Sequence, residues 1–317
     1  MAATAGTMAA GTTAAATAVV FAYHTVGARC LQVLLDQGVR VLLVVTHEDD
    51  PDEQIWFDSV ANLARAHGIP AITPDDPNTP ELMDRLRGLN PDFLFSFYYR
   101  RMLSPELLAL APRGAYNMHG SLLPKYRGRV PINWAILKGE RETGATLHEM
   151  VAKPDAGRIV DQEAVAIGPD DLAIDVFHKV TAAAATILSR SLPGLIAGTA
   201  VLKPQNLAAG SYFGGRKPED GRIDWSQGAQ AIHDLVRAVA PPYPGAFTTA
   251  GGARLRILRT RLEPGRAVRP GGPGLYCDGG AYYADCADDK VLQLLETEGV
   301  PAPAAFGENK IPFEDSK

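Results

Sequence analysis

Residues 17–46 read TAVVFAYHTVGARCLQVLLDQGVRVLLVVT. TAVVFAY (17–23) is a short, uninterrupted apolar run, the pattern of a strand covered on both faces. Val26, Cys30 and Leu34 then recur at helical spacing over Val26–Gln37, and Gly38 stops the helix. VRVLLVVT (39–46) is a second buried strand. Two buried strands joined through a helix lie parallel, because the helix carries the chain back across the sheet. The expected fold class is therefore α/β, a Rossmann-like doubly wound parallel sheet. The first turn, Tyr23-His24-Thr25-Val26-Gly27, lacks G-x-G-x-x-G, so a nicotinamide or flavin site of the usual kind is not expected.

The alternation continues. Ala71–Thr73 is a short strand, Pro80–Leu89 a helix and Asp92–Phe97 (DFLFSF) a further buried strand. Ser104–Leu110 opens with a capping serine and a proline at the first helical position. Gly114–Met118 is the next strand. Pro131–Lys138 is helical, and Thr143–Met150 alternates like a strand with one face to the core. Arg158–Ile167 is extended, and a long helix runs from Leu172 to Leu188 or beyond. Over Leu202–Arg222 the composition turns to Gly, Pro and charge, the mark of a linker carrying a loop, FGGRKPEDGRIDW (213–225). After a helix at Ala229–Ala240, short β-prone runs separated by Gly and Pro predict a smaller C-terminal OB-like β-barrel. The expected organisation is a disordered tail over 1–17, a Rossmann-like domain over 18–203, the barrel over 204–300 and a loose tail over 301–317.

Composition bounds the function. The chain is 46% hydrophobic and 21% charged, with a net charge of −5, as in soluble globular proteins. That acidic balance argues against a broadly basic nucleic-acid surface. Cys30, Cys277 and Cys286 are sparse and match no zinc spacing, which points to a reduced, cytoplasmic setting with no metal. Residues 1–17 hold no Lys or Arg, so they do not read as a secretory signal. No apolar run approaches the roughly 18–20 residues of a membrane span.

Chemistry concentrates in Ala115–Arg129, AYNMHGSLLPKYRGR. Alternation on a strand points Asn117 and His119 the same way. An amide donor and an imidazole aimed at one point suit a carbonyl carbon under attack: the amide stabilises the oxyanion, and the imidazole moves a proton. Pro124 and Gly128 punctuate the loop that carries Lys125, Arg127 and Arg129. Tyr98 and Tyr99 follow a strand, where ligands of open α/β sheets bind, and aromatic rings there can stack a flat heterocycle or simply pack. His148, alone on its strand, reads as structural. Asp155, taken by itself, reads as a turn residue after Pro154.

These residues resemble a family. Asn117-Met118-His119-Gly120-Ser121-Leu122-Leu123-Pro124 is similar to the N-x-H-x-S-L-L-P signature of folate-dependent formyltransferases, and Asp155 matches their spaced aspartate. SLLPKYRGR followed by P-x-N-W, with FSFYYR upstream and FGGRKPED downstream, resembles the formyltransferase domain acting on UDP-4-amino-4-deoxy-L-arabinose, the lipid A modification associated with polymyxin resistance. Gly215 departs from the run of arginines usual in that loop. The two-activity relative continues into a decarboxylating domain, for which 317 residues leave no room, so a free-standing transferase is expected. The resemblance implies 10-formyltetrahydrofolate as co-substrate and Asn117, His119 and Asp155 as the catalytic trio, with Asp155 favouring a protonated His119. It places Phe97, Tyr98, Tyr99, Arg129 and Val151, Ala152, Lys153, Pro154 and Asp155 around the folate. Lys125, Arg127, Arg216 and Lys217 become candidates for the UDP phosphates. Methionyl-tRNA and other nucleotide-linked amino sugars remain alternative acceptors, and a binding module that merely retains the trio is a further class. Membrane and nucleic-acid partners are not expected. A homo-oligomer is compatible with the sequence, which specifies no interface.

Overall fold

The structure, a computed structural model, describes residues 15–49, 55–302 and 310–314; the expected tails lie largely outside the described residues. The chain begins with β1 (Thr17–Ala22), α1 (His24–Asp36), β2 (Arg40–Val45), α2 (Val60–Ala66), β3 (Ala71–Ile72) and α3 (Pro80–Leu89). It continues with β4 (Phe93–Phe97), α4 (Pro105–Leu108), β5 (Ala115–His119), β6 (Arg127–Gly128) and α5 (Pro131–Leu137). β7 (Glu142–Glu149), β8 (Ile159–Ala166), α6 (Ala173–Ala197), β9 (Tyr212–Phe213) and α7 (Ala229–Val239) follow.

Seven strands form one sheet in the order β3-β2-β1-β4-β5-β7-β8. β1 shows why it is buried on both faces. Ala18, Val20 and Ala22 pack into one apolar layer with Val26 and Leu31 of α1 and Val180 of α6. Val19 and Phe21, pointing the other way, meet Leu82, Leu86 and Leu107. The strands from β3 to β5 are parallel, but β7 pairs antiparallel with β5, and β8 antiparallel with β7. The sheet is therefore mixed rather than wholly parallel. The connection from β5 to β7 leaves and rejoins the sheet at the carboxyl end of β5, which puts the 120–130 loop there, while α5 packs against α6 and α7. β7 is buried along six consecutive positions, not on one face as its alternation suggests, because helices cover one side and the 120–130 loop the other.

α6 extends beyond Leu188, running through Pro193 to the left-handed cap Gly198. Its length and composition alone would let it cross a membrane. Here Val176, Phe177, Val180, Ala184, Ile187 and Leu188 are buried in the core.

The second sheet is antiparallel: β10 (Ala246–Ala250), β11 (Ala253–Leu262), β12 (Gly274–Asp278), β13 (Ala281–Asp285), β14 (Val291–Glu298) and β15 (Ile311–Pro312), ordered β10-β11-β14-β13-β12-β15. A bridge between Ala250 and Phe313 brings its two edges together, so the sheet curls into a nearly closed barrel. Residues 310–314 correct the expectation of a loose tail. Ile311 and Pro312 extend the barrel beside β12, and the Phe313 ring stacks on Trp225 at 3.6 Å between centroids.

Between α6 and the barrel, residues 203–213 form a strap instead of a free linker. Lys203 and Ile159 exchange backbone hydrogen bonds of 2.8 and 2.7 Å. Farther on, Arg127 N donates to Ser211 O and Arg129 N to Phe213 O, each at 3.0 Å.

Candidate active site

The strand order reverses between β1 and β4, which opens a crevice at their carboxyl ends. Backbone strain collects there. His24 (φ 69°) follows β1 and Tyr98 (φ 57°) follows β4, while Tyr126 (φ 56°) and Val130 (φ 47°) lie after β5. Asp155 (φ 51°) reaches in from the β7–β8 turn. Left-handed conformations cost non-glycine residues energy, a β-branched valine most of all, and such strain clusters at functional sites.

Asn117, His119, Asp155 and His148 come together here. The antiparallel register sets His148 opposite Asn117. Asn117 Nδ2 donates to His148 Nε2 at 3.0 Å, while His148 Nδ1 donates to Glu149 O at 2.8 Å. His119 Nε2 donates to Tyr126 O at 2.8 Å. A carbonyl can only accept, so in the neutral ring the free lone pair is on Nδ1. That lone pair faces Asp155 Oδ1 at 3.5 Å, and the same oxygen lies 3.6 Å from His148 Nε2. The other carboxylate oxygen, Oδ2, accepts from Gly128 N at 2.8 Å. The cluster thus presents lone pairs toward a shared point, an arrangement that asks for a donor such as an amine.

Burial is the strongest influence on His119 and pulls its pKa below the ordinary 6.5; the Asp155 charge and the Tyr126 carbonyl pull upward and are outweighed. Asp155 does favour the protonated ring, as expected, but burial outweighs it: the ring is neutral at pH 7 and can act as a base. For Asp155 burial pulls upward, but the charge that His119 and His148 carry when protonated, with the Gly128 N–H, holds the carboxyl well below the usual range. The carboxylate is therefore charged.

The other expected site residues are distributed unevenly. Phe97 is 0% exposed and packs on Phe95 in the core, so its side chain lines no pocket. Tyr99 stacks on His47 at 4.2 Å, and its hydroxyl is buried without a partner. Val151, Ala152 and Lys153 are exposed beside Pro154 and Asp155, with Val151 39% exposed, an apolar ledge next to the trio. The Arg129 guanidinium lies over Gly215, on the side of Arg216. Lys125 points to Glu140 at 3.4 Å. Arg127 is buried with its Nε unpaired. Arg216 stacks over Trp134 at 5.0 Å, and Lys217 is exposed next to it.

With this geometry in place, comparison with known proteins is decisive. Residues 18–192 match the formyl transferase model, and residues 216–300 match the formyl transferase C-terminal domain. The chain belongs to the formyl transferase family. The strap lies between the two matched spans. Among solved structures, an N-formyltransferase from Helicobacter canadensis, crystallised with folinic acid and dTDP-3-aminofucose, is 20% identical with TM-score 0.68 over 88% of this chain and 98% of that one. A 4-N formyltransferase from Francisella tularensis is 20% identical with TM-score 0.60 over 73% and 91%. HypX from Aquifex aeolicus, crystallised with tetrahydrofolic acid, is 19% identical with TM-score 0.60 over 92% of this chain and 47% of that one. At these identities the likeness is one of fold.

Sequence reasoning read His148 as structural and passed over Gln205, both of which this formyl transferase places at the trio. His148 could be found only by knowing that β7 runs antiparallel to β5. Gln205 lies in the strap: its Nε2 donates to Asp155 O at 3.1 Å and Gly157 O at 2.6 Å. It thereby holds the strained Asp155 from behind. Gly157 is the other requirement of this loop, since a Cβ there would lie 1.8 Å from Glu149 O. We expect Gln205→Leu to lower kcat about tenfold while leaving folate affinity within about twofold, measured by steady-state kinetics and ligand titration.

Acid should loosen the same region. Burial, aided by Arg100, lowers His24 to about 3, and burial with Arg100 and Arg101 lowers His47 to about 4. Unfolded histidines bind protons near pH 6.5, so the folded state binds fewer and loses stability as pH falls from 6.5 toward 4 and below. The urea midpoint should drop over that range, and His24→Phe should flatten the drop. An equal slope in the variant would count against His24 as a source.

Proposed function

We propose that this chain transfers the formyl group of 10-formyltetrahydrofolate to the primary amine of a nucleotide-linked amino sugar, and that the acceptor is UDP-4-amino-4-deoxy-L-arabinose. The observation that carries the reading is the meeting of Asn117, the neutral His119 and the ionised Asp155 around one point. Asn117 uses one Nδ2–H on His148 and has the second to donate to the oxygen of the tetrahedral intermediate. His119 Nδ1 takes a proton from the attacking amine, and Asp155 stabilises the imidazolium that results. The same proton then goes to the departing folate nitrogen as the carbon–nitrogen bond breaks. Val151–Pro154 and Tyr99 offer the apolar and aromatic surface a pterin needs. Arg216, Lys217 and Arg129 supply charge for a diphosphate.

Solved structures of the same fold include proteins named as sugar N-formyltransferases. The UDP-arabinose assignment rests on the KYRGR, P-x-N-W and FGGRKPED motifs. The acidic chain favours a small acceptor over tRNA. All three cysteines are free, and burial pushes the Cys30 and Cys286 thiols up, which suits a reducing cytoplasm.

The test is a formyl-transfer assay with 10-formyltetrahydrofolate and three acceptors: UDP-4-amino-4-deoxy-L-arabinose, a dTDP-amino sugar and methionyl-tRNA. Formylation of the UDP sugar at a kcat/KM at least about tenfold above the others supports the assignment. Preference for the dTDP sugar moves the acceptor, and turnover of methionyl-tRNA alone overturns the sugar reading.

A further inference from the structure

Tyr98 was placed with the folate by family resemblance, but its surroundings point elsewhere. Its hydroxyl is buried and has no hydrogen-bond partner. It presses on Gly120, the residue after His119: a Cβ at that position would lie 2.2 Å from the oxygen and 3.2 Å from the ring carbon that bears it. Burial, with Tyr243 and Cys30 nearby, pushes the phenol far up, so it stays neutral. Around it are the rings of His24 at 6.4 Å and Phe177 at 6.2 Å, and Trp56 links His24 (4.5 Å) to Tyr243 (6.3 Å). His24 Nδ1 is a second buried polar atom without a partner, and His24 too stays neutral at pH 7.

Tyr243 also lines a cleft with Val130, Asn133, Arg216, Lys217 and Pro218. Gly120 ties the Tyr98 hydroxyl to His119, and the neighbouring Tyr243 ties it to the cleft that holds Arg216 and Lys217. The side next to His119 is aromatic with neutral polar tips, and the cleft beyond Tyr243 is positive. A diphosphate-linked sugar has the matching order: a neutral, hydroxyl-bearing ring that carries the amine, followed by the anionic phosphates. Buried polar groups are almost always paired, so an unpaired pair at the crevice where α/β sheets take ligands marks the place of a ligand's own polar groups.

We propose that the Tyr98 hydroxyl, backed by His24, hydrogen-bonds a hydroxyl of the acceptor's sugar ring and thereby positions its amine at His119, so that Tyr98 serves the acceptor and not the folate. This deepens the functional reading above and rests on it.

Tyr98→Phe decides the matter with two measurements. The acceptor's KM should rise about tenfold, while the Kd of 5-formyltetrahydrofolate, measured by titration, should stay within about twofold. Gly120→Ala should displace the hydroxyl and raise the acceptor KM in the same way. Adding Tyr98→Phe to Gly120→Ala should recover folding stability, since the nearest remaining ring atom is 3.2 Å away. A weakened folate Kd with an unchanged acceptor KM overturns the proposal, as does no change in either. Should the wild type formylate none of the three acceptors, the functional reading fails. The folate titration then decides alone: an unchanged Kd keeps Tyr98 off the folate side, and a weakened one puts it there.

Discussion

Replacing His119 with alanine is expected to lower kcat by about 10³-fold, within the 10²–10⁴ range of general acid–base groups, with the protein still folded. The imidazole has one nitrogen committed to Tyr126 O and the other turned to Asp155, and alanine leaves no base at the position of that second nitrogen. The pH profile should carry the same signature. His119 must be unprotonated to act as a base, and burial holds its pKa below 6.5. The acid limb of kcat/KM should accordingly lie below pH 6.5. Asp155→Asn removes a charge that raises the His119 pKa. The limb in that variant should shift further down while the plateau falls. A shift upward, or a His119→Ala enzyme within tenfold of wild type, would remove His119 from the chemistry.

Asn117→Ala is expected to cost about 10²–10³ in kcat, roughly 3–4 kcal/mol, the range seen when one donor to an oxyanion is deleted. The KM values for folate and acceptor should change little, because the donor is aimed at charge that exists only in the transition state. His148 gives a graded control. Its Nε2 accepts from Asn117 Nδ2, and this fixes the direction of the amide. His148→Phe leaves the amide present but unheld, and kcat should fall less than in Asn117→Ala. The double variant should be no worse than Asn117→Ala alone, since both changes act through one donor. Additive losses would mean that His148 works independently.

The parallel core was legible because burial on both faces leaves continuous apolar runs, as in TAVVFAY and DFLFSF. Asn117 and His119 were legible because strand alternation and position in the chain suffice to pair them. His148 was not. On its own strand it is one polar residue in an alternating run, and only the antiparallel register opposite Asn117 gives it a role. The net protonation state of His119 was not legible for a related reason. Spacing shows the carboxylate that raises a pKa, but desolvation depends on how completely the fold closes over the ring, and here closure wins. The residues 310–314 looked loose because two barrel positions and one aromatic are too short a pattern to read. Their partners, β12 and Trp225, lie far away in sequence.

The strap has a consequence for how this enzyme could be divided. Residues 203–213 hydrogen-bond to the loop after β5 and to the turn that carries Asp155, so a cut there does not separate two self-sufficient modules. A fragment ending near residue 200 would keep every atom of Asn117, His119 and Asp155 yet lose the Gln205 side chain that holds Asp155 in its left-handed turn and the Ser211 carbonyl that holds Arg127 in place. Such a fragment should fold its sheet and fail at catalysis. Adding back the remainder of the chain as a separate polypeptide should restore activity in trans, with a concentration dependence that reports how tightly the two pieces are sewn together.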